Sequence, residues 1–348
     1  MTKQTPTVAV DAMGGDVGCS VTVRGAMEAA KQGDIHLILV GDEAKIRPEM
    51  NGYGLPEEAV SVVHTTEVVG MDEKPSEVLR KKRDSSIHIA CQLVKEGKAQ
   101  GVVSAGNSGA TVACGMFILG RIAGVERPAL ASIMYVQDTP TVLIDVGANV
   151  DCKPYHLFQF GLMADVLARD VLNIPTPKVG LLSIGEEEGK GNIQVKEAFE
   201  LFKMSSLNFV GNVEGRDIFS SEADVVVCDG FVGNVALKLS EGLGASLAKV
   251  FLKELNTGDL SAKLGSVLIQ GAIKRFNRIV DYAEYGGAPL LGLKGITIVC
   301  HGASNTKAVT KAVEMAGTFI RKKANEHLTE DLTANEELTR FARAAVKQ

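Results

Sequence analysis

The run VVVCDGFVGNVALKL, residues 225–239, decides how the chain reads. Val225 to Cys228 have the length and composition of a buried strand. They stop at Asp229-Gly230, and past Gly233 and Asn234 a helical pattern begins that carries Lys238. A strand that ends in glycine-rich backbone and passes at once into a helix is half of a βαβ unit. Gly230 and Gly233 allow a sharp turn and a close backbone approach to a ligand. Asn234 and Lys238, four apart, share one helix face. Lys238 is then either a contact to phosphate or carboxylate or a solvated lysine, and the two readings stand even.

The same pattern recurs along the chain. Strands are expected at Thr7–Val10, His36–Val40, Val60–Val63, Gly101–Ser104, Leu130–Val136, Thr141–Asp145, Val179–Ile184, Asn208–Val210, Val225–Cys228 and Ile296–Cys300. Helix-length stretches alternate with them: Val21–Lys31, Ser76–Lys95, Ser108–Leu119, Tyr155–Arg169, Ile193–Met204, Val235–Leu255 and Thr306–Lys323. Asn335–Gln348 reads as a charged, solvent-facing helix. The alternation implies an α/β fold with a largely parallel sheet. No repeat, low-complexity tract or linker interrupts it, so residues 1–348 read as one unit.

Small polar corners follow the strands: DAMGGD (11–16), SAGNSGA (104–110), DVGANVD (145–151), SIGEEEGKGN (183–192), DGFVGN (229–234) and HGASN (301–305). Ligands of open α/β sheets bind beyond the carboxyl ends of the strands. Helix N-termini there offer unpaired N–H groups and a positive dipole end to an anion. One such corner is ordinarily a turn. Six on one sheet edge are expected to form one polar crevice.

The formal charge of −5 argues against a general nucleic-acid binder. The six cysteines (19, 91, 114, 152, 228 and 300) lack CxxC or zinc spacing, which suits reduced thiols in a cytosolic protein. The N-terminus is not that of a signal peptide, and no apolar stretch reaches spanning length. A soluble, cytoplasmic protein is expected.

Taken in order, VAVDAMGGD, GDE (41–43), KPSEVLRKKRDSS (74–86), SAGNSGAT, DVGANVDCKP (145–154), GNVEGRD (211–217), VCDGFVGNVALK, YGGAPLLGLKG (285–295) and CHGASN resemble the bacterial phosphate acyltransferase (PlsX) family of phospholipid synthesis. Each piece alone is weakly specific, but the ordered set is highly specific and spans nearly the whole chain. The resemblance implies transfer of a fatty acyl group from acyl carrier protein to inorganic phosphate, giving acyl phosphate. It also implies a homodimer and a product passed to a membrane-embedded glycerol-phosphate acyltransferase. DGFVGNVALK and GAPLLGLKGITIVCHGAS are similar, more distantly, to segments of phosphate acetyltransferases. That likeness implies a two-lobed α/β/α sandwich of the isocitrate/isopropylmalate dehydrogenase type. Where those enzymes carry a Ser-Arg pair this chain has Cys300-His301, and Lys307 stands near the position of their following acid.

Phosphate is already an oxygen nucleophile, so its attack on a thioester needs no covalent enzyme intermediate, metal or cofactor. The protein must hold the dianion, align it and stabilise an oxyanion. No HExxH or similar ligand spacing occurs. His301 is the candidate donor to the carbonyl oxygen or the leaving sulfur. Asn234, Lys238 and Asp229 complete the catalytic candidates. Gly14, Gly15, Asn107, Ser108, Thr111, Asn149, Lys153, Lys190, Ser304 and Asn305 are the phosphate- or substrate-binding candidates. For Asn107, Ser108 and Thr111, helix capping is at least as common a role. Asp11, Asp16, Asp145 and Asp229 could orient donors or form a metal site; orientation of backbone and of Lys153 or Lys238 is the preferred reading, since free carboxylates repel phosphate. Lys190 lies in a glycine-rich loop suited to closing over phosphate, and its neighbouring glutamates are expected to face water. Cys300 reads as a small apolar residue rather than a nucleophile.

Two further features suit partners. Arg80-Lys81-Lys82-Arg83 is the densest positive run and would steer an acidic carrier protein. Across 256–283, Leu260, Leu264, Val267, Leu268 and Ile273 can share a broad helical face flanked by Lys263, Lys274, Arg275 and Arg278. That excursion suits an anionic membrane surface or a dimer interface. Two other readings of the chain remain: a non-catalytic lipid or phosphate sensor, and an NAD-dependent dehydrogenase of the same fold.

Overall fold

The computed structural model of the chain describes residues 5–136, 139–257, 269, 271 and 286–345. Leu260, Leu264, Val267 and Leu268, with nearly all of the 256–283 excursion, lie outside the described residues.

Eleven strands make one sheet: β1 (Thr7–Asp11), β2 (His36–Gly41), β3 (Val60–His64), β4 (Gly101–Ser104), β5 (Ala129–Val136), β6 (Thr139–Ile144), β7 (Val179–Leu182), β8 (Phe209–Val213), β9 (Val225–Val227), β10 (Ala288–Leu291) and β11 (Ile296–Val299). Their order is β3-β2-β1-β4-β11-β10-β5-β6-β9-β7-β8. The first five in that order are mutually parallel. The β11–β10, β10–β5 and β5–β6 pairings are all antiparallel, and β6, β9, β7 and β8 are again parallel to one another. Three reversals leave the second parallel set pointing against the first. The six glycine corners therefore do not share one sheet edge, as the alternation alone suggested. DAMGGD, SAGNSGA and HGASN end strands of the first lobe, and DVGANVD, SIGEEEGKGN and DGFVGN end strands of the second.

Around the sheet lie α1 (Cys19–Gln32), α2 (Glu43–Met50), α3 (Pro75–Lys81), α4 (Ser86–Lys95), α5 (Ser108–Cys114), α6 (Pro154–Val166), α7 (Ile193–Lys203), α8 (Gly230–Thr257), α9 (Thr306–Arg321), α10 (Ala324–Ala334) and α11 (Glu336–Ala345). Helices α5 and α6 run on into π turns at Gly115–Leu119 and Leu167–Val171. Every residue of α6 from Tyr155 to Val166 is buried. A helix apolar all round belongs inside, and the Phe158, Phe160 and Met163 side chains of α6 lie in the main core with Val142 and Ile144 of β6. A second apolar cluster, with Ile87, Cys91, Ala110, Cys114, Ile118, Leu290 and Val299, fills the other face of the first lobe. Ala148, from the corner after β6, packs against this second cluster, so the two lobes touch there.

Several elements differ from expectation. The stretch 76–95 is two helices, because the chain turns at Lys82–Ser85. The Ser85 hydroxyl donates to Lys82 O at 2.6 Å, and the Thr65 hydroxyl holds Asp84 O at 2.5 Å. Asp-Ser-Ser before an apolar run is a helix-start signal, and it prevails over the continuous charge pattern. Strand β10 hides in GGAPLLGLKG, where Pro289 pairs antiparallel with Ile298. Helix α2 is short and holds Pro48, but Asp42 caps it by accepting from Ala44 N at 3.1 Å. Helix α11 is more than a solvent-facing tail: Thr339 is buried and Arg343 pairs with Glu126 at 2.8 Å.

Candidate functional site

In the first lobe, β1 delivers Asp11 into a fully enclosed position. Its Oδ2 accepts from the Ser104 hydroxyl at 2.7 Å, while Oδ1 has no hydrogen-bond partner among the described residues. Ser104 Oγ also accepts from Gly106 N at 3.1 Å, tying the β1 and β4 corners together. Burial pushes the Asp11 carboxyl up, against the pull of the nearby Ser86 and Ser104 hydroxyls. A Cβ on Gly14 would stand 2.6 Å from Gly106 N and 2.7 Å from Asp11 Oδ2, so only glycine fits. Gly15, at φ +107°, has the backbone conformation that glycine supplies. The third corner joins through Asp16 N, which donates to Gly302 O at 2.8 Å.

Asn107 is fully committed. Its oxygen caps α5 by accepting from Ala110 N at 2.9 Å, and its Nδ2 donates to Gly70 O, Met71 O and Glu73 O at 3.2, 2.7 and 2.9 Å. Thr111 is buried and donates to Asn107 O at 3.1 Å. These two residues build the corner rather than line it, the capping role weighed above. Ser108 is exposed beside them, and Asn305 caps α9 by accepting from Ala308 N at 3.0 Å, while Ser304 is buried. His301 is exposed, and its Nδ1 accepts from Ala303 N at 3.1 Å. An accepting Nδ1 places the proton of the neutral ring on Nε2.

In the second lobe, Asp145 is fully buried and receives five donors. Oδ1 accepts from Leu130 N, Gly147 N and Ala148 N at 3.1, 3.1 and 3.0 Å, and Oδ2 from Asn149 N and Nδ2 at 2.7 and 2.8 Å. Burial pushes this carboxyl up, and the donors oppose it. Asn149 is spent on the same corner, since its Nδ2 also reaches Pro128 O at 2.8 Å. The DGFVGN corner locks onto this knot: Gly230 N donates to Asn149 O at 2.8 Å, and a Cβ on Gly233 would stand 1.9 Å from Asp145 O. Asp229 Oδ1 accepts from Val232 N at 2.9 Å at the start of α8. The Asn234 side chain lies 3.6 Å from the Cβ position of Gly147.

Lys153, Lys190, Asn234 and Lys238 are all exposed around this corner. Lys238 pairs with Glu241 on its own helix at 2.7 Å, and Lys153 Nζ stands 6.0 Å from the centre of the Tyr155 ring. Glu186, Glu187 and Glu188 face solvent, with Glu186 paired to Arg216 at 2.9 Å and Glu188 to Lys203 at 2.6 Å. Cys300 is buried and its thiol is pushed up to about 12 by burial, which suits the apolar reading.

The basic run divides. Lys82 is half-buried, donating to Glu73 at 2.5 Å and to Val68 O at 2.6 Å, and Lys81 pairs with Glu77 at 3.4 Å. Arg80 and Arg83 are exposed. Ser104 was visible in the sequence as the last residue of a strand, but nothing local announces its bond to Asp11, 93 residues away. Gln194, whose Nε2 donates to Cys152 O at 2.7 Å and ties two second-lobe corners, carries no motif at all.

An α/β architecture with two opposed parallel strand sets and glycine corners on each defines a two-lobed α/β fold. A phosphotransacetylase from Streptococcus pyogenes shares it, with a TM-score of 0.61 at 17% identity, covering 91% of this chain and 94% of that one. So does a 4-hydroxythreonine-4-phosphate dehydrogenase from Klebsiella pneumoniae, with a TM-score of 0.51 at 12% identity and coverage of 92% and 99%. At the level of sequence, a protein family described as fatty acid synthesis protein matches residues 6–327. A phosphate acyltransferase of Nitratidesulfovibrio vulgaris (strain DP4) is 63% identical over 97% of this chain and 98% of its own length. The chain belongs to this phosphate acyltransferase family.

Proposed function

We propose that the protein transfers a long-chain fatty acyl group from an acyl carrier protein thioester to inorganic phosphate, giving acyl phosphate for phospholipid synthesis. A phosphate oxygen bonds to the thioester carbon, and the carbonyl electrons move to oxygen. Collapse of that intermediate breaks the C–S bond. The proton lost by phosphate ends on the departing thiol. Holding the two reactants in line supplies up to roughly 7–11 kcal/mol of the barrier reduction.

His301 Nε2–H is the donor to the oxyanion or the leaving sulfur, a role supported by the Ala303 bond that orients the ring. Asn234 and Lys238, presented from the first turns of α8, and Lys153 and Lys190 hold phosphate. The Gly14-Gly15 backbone, Ser108 and Asn305 line the first-lobe side, with Ser304 buried behind them. Support for a shared cleft comes from Ala148 of the second-lobe corner, which packs against the second apolar cluster. Direct attack, rather than an acyl-cysteine, is supported by the buried, high-pKa thiol of Cys300.

The test is thiol release in a mixture of protein, acyl carrier thioester and phosphate. Release that depends on phosphate is the expected result, and carrier binding without release would favour a sensor. Family membership already weighs against both the sensor and the dehydrogenase.

A homodimer is the proposed cover for α8, where Val235, Leu239, Leu243, Leu247 and Val250 lie along one side and are 52–67% exposed. Leu239→Glu with Leu243→Glu is then expected to give a monomer in sedimentation. No helix among the described residues is long and apolar enough to cross a membrane. Peripheral contact through Leu264 and Leu268, on the way to a membrane acyltransferase, is tested by charge-introducing changes there and binding to anionic vesicles.

A further inference from the structure

A groove of about 750 Å³ runs along the outer face of the first lobe, between α3, α4 and the α5 π turn. Its floor is apolar: Leu79, Ala113, Ile118 and Phe117, the last 73% exposed. Phe117 stands beside Leu79 and Ile118 along this strip, so the apolar lining is continuous with it. Its rim is cationic. Arg80 and Arg83 come from α3 and the turn after it, and Lys95 comes from α4 on the same face as His88 and Gln92. All three cations are exposed, and none has a carboxylate within ion-pair distance among the described residues. Of the nearby acids, Glu73 pairs with Lys82, Glu77 with Lys81 and Glu96 with Lys98, and Glu67 accepts from Asp84 N, which leaves the exposed Asp84 as the one carboxylate beside Arg83 against three cations. In a chain of net charge −5, this is a local excess of positive charge around an apolar strip.

We propose that this groove is the docking surface for an acidic amphipathic helix, presented by the carrier protein of the reaction above, on which the proposal rests. The helix lays its apolar face on Leu79, Phe117 and Ile118 and its carboxylates against Arg80, Arg83 and Lys95, a helix-in-groove mode with a charged rim. Lys81 and Lys82, adjacent in sequence, are not part of it, because their ammonium groups are already paired on the other side of α3. One end of the groove is well placed for delivery. Pro75 lines it and stands 2.8 Å from the Cβ position of Gly109, directly beside exposed Ser108 at the first-lobe corner. From Ser108 to Phe117 is nine residues of helix, about 14 Å, so a carrier seated on Phe117 holds its tethered thioester within a short arm's reach of that corner.

The experiment compares one acyl group on two carriers, acyl carrier protein and coenzyme A, in the same thiol-release assay. Arg80→Glu, Arg83→Glu and Lys95→Glu together are expected to lower kcat/KM for the protein-borne thioester relative to the coenzyme A thioester by about tenfold or more. The wild-type preference is expected to fade as salt is raised and the variant's to be flat. Phe117→Ser is expected to move the ratio in the same direction, while Arg80→Lys, Arg83→Lys and Lys95→Arg retain it. A ratio unchanged by charge reversal overturns the docking groove while leaving the acyltransferase reading intact. Equal loss on both thioesters overturns it too, and assigns the groove to the acyl chain. Wild-type protein that releases thiol from neither substrate overturns the reading of the reaction itself.

Discussion

Asp11 and Asp145 each close a strand-end corner, each is buried, and each sits where a glycine leaves no room for a Cβ. Their surroundings differ. Asp145 is gripped by five donors on both oxygens, all from its own corner and the neighbouring Leu130. Asp11 holds the Ser104 hydroxyl with one oxygen, and its other oxygen has no hydrogen-bond partner among the described residues. The second-lobe corner is thus rigid by hydrogen bonding, whereas the first is assembled from three chain segments by steric fit and single bonds. A buried carboxylate is an organiser when every lone pair is used and a reserve when one is not.

That contrast is most easily broken at Asp145. Asp145→Ala leaves five donors without an acceptor, and urea unfolding is expected to show a loss upwards of about 3 kcal/mol. Gly233→Ala comes next, since its methyl would lie 1.9 Å from Asp145 O, against 2.6 Å from Gly106 N for Gly14→Ala. Losses of about 2–4 kcal/mol are expected, larger for Gly233. A larger loss at Gly14 would mean that the first-lobe corner is the stiffer one.

His301→Ala sharpens the comparison from the chemical side. It is expected to lower kcat by about 10²–10³ with little shift of the unfolding midpoint, because the ring is exposed.

The pH response of Asp11 is smaller. Its folded pKa is raised above the model-compound 3.8, so the folded state binds the proton more tightly. Its favourable contribution is complete below pH 3.8 and is lost as pH rises through the folded value. Asp11→Asn removes that loss. The variant is expected to gain stability relative to wild type as pH climbs from 3.8 toward neutrality, read from urea midpoints across pH. A flat difference would show that burial does not raise the Asp11 carboxyl above its unfolded value.

The smallest effect is expected at Lys238. Lys238→Ala removes an exposed ammonium already paired with Glu241, and a few-fold rise in the KM for phosphate is the expected outcome.

Local chemistry announced most of the elements. The apolar runs of β1, β4, β9 and β11 lie within a residue or two of their expected bounds, because parallel strands buried on both faces read as continuous hydrophobic stretches. β10 escaped because Pro289 and its flanking glycines look like a turn, and its pairing with β11 and β5 supplies what its own residues lack. Among site candidates, Asn234, His301 and Lys190 are exposed where a corner was expected, but Asn107, Asn149 and Thr111 are consumed in building the corners. An amide's type and position are legible in a sequence; whether its hydrogen bonds are already taken depends on carbonyls tens of residues away.

By itself, then, the order of residues set the fold class, the family and the places where backbone turns at glycine, since strand length, helical period and φ preference are all short-range properties. Which corners face one another was settled only in three dimensions. Three antiparallel pairings in the middle of the sheet reverse the second lobe, and a reversal between distant strands is a property of pairing that no local stretch encodes.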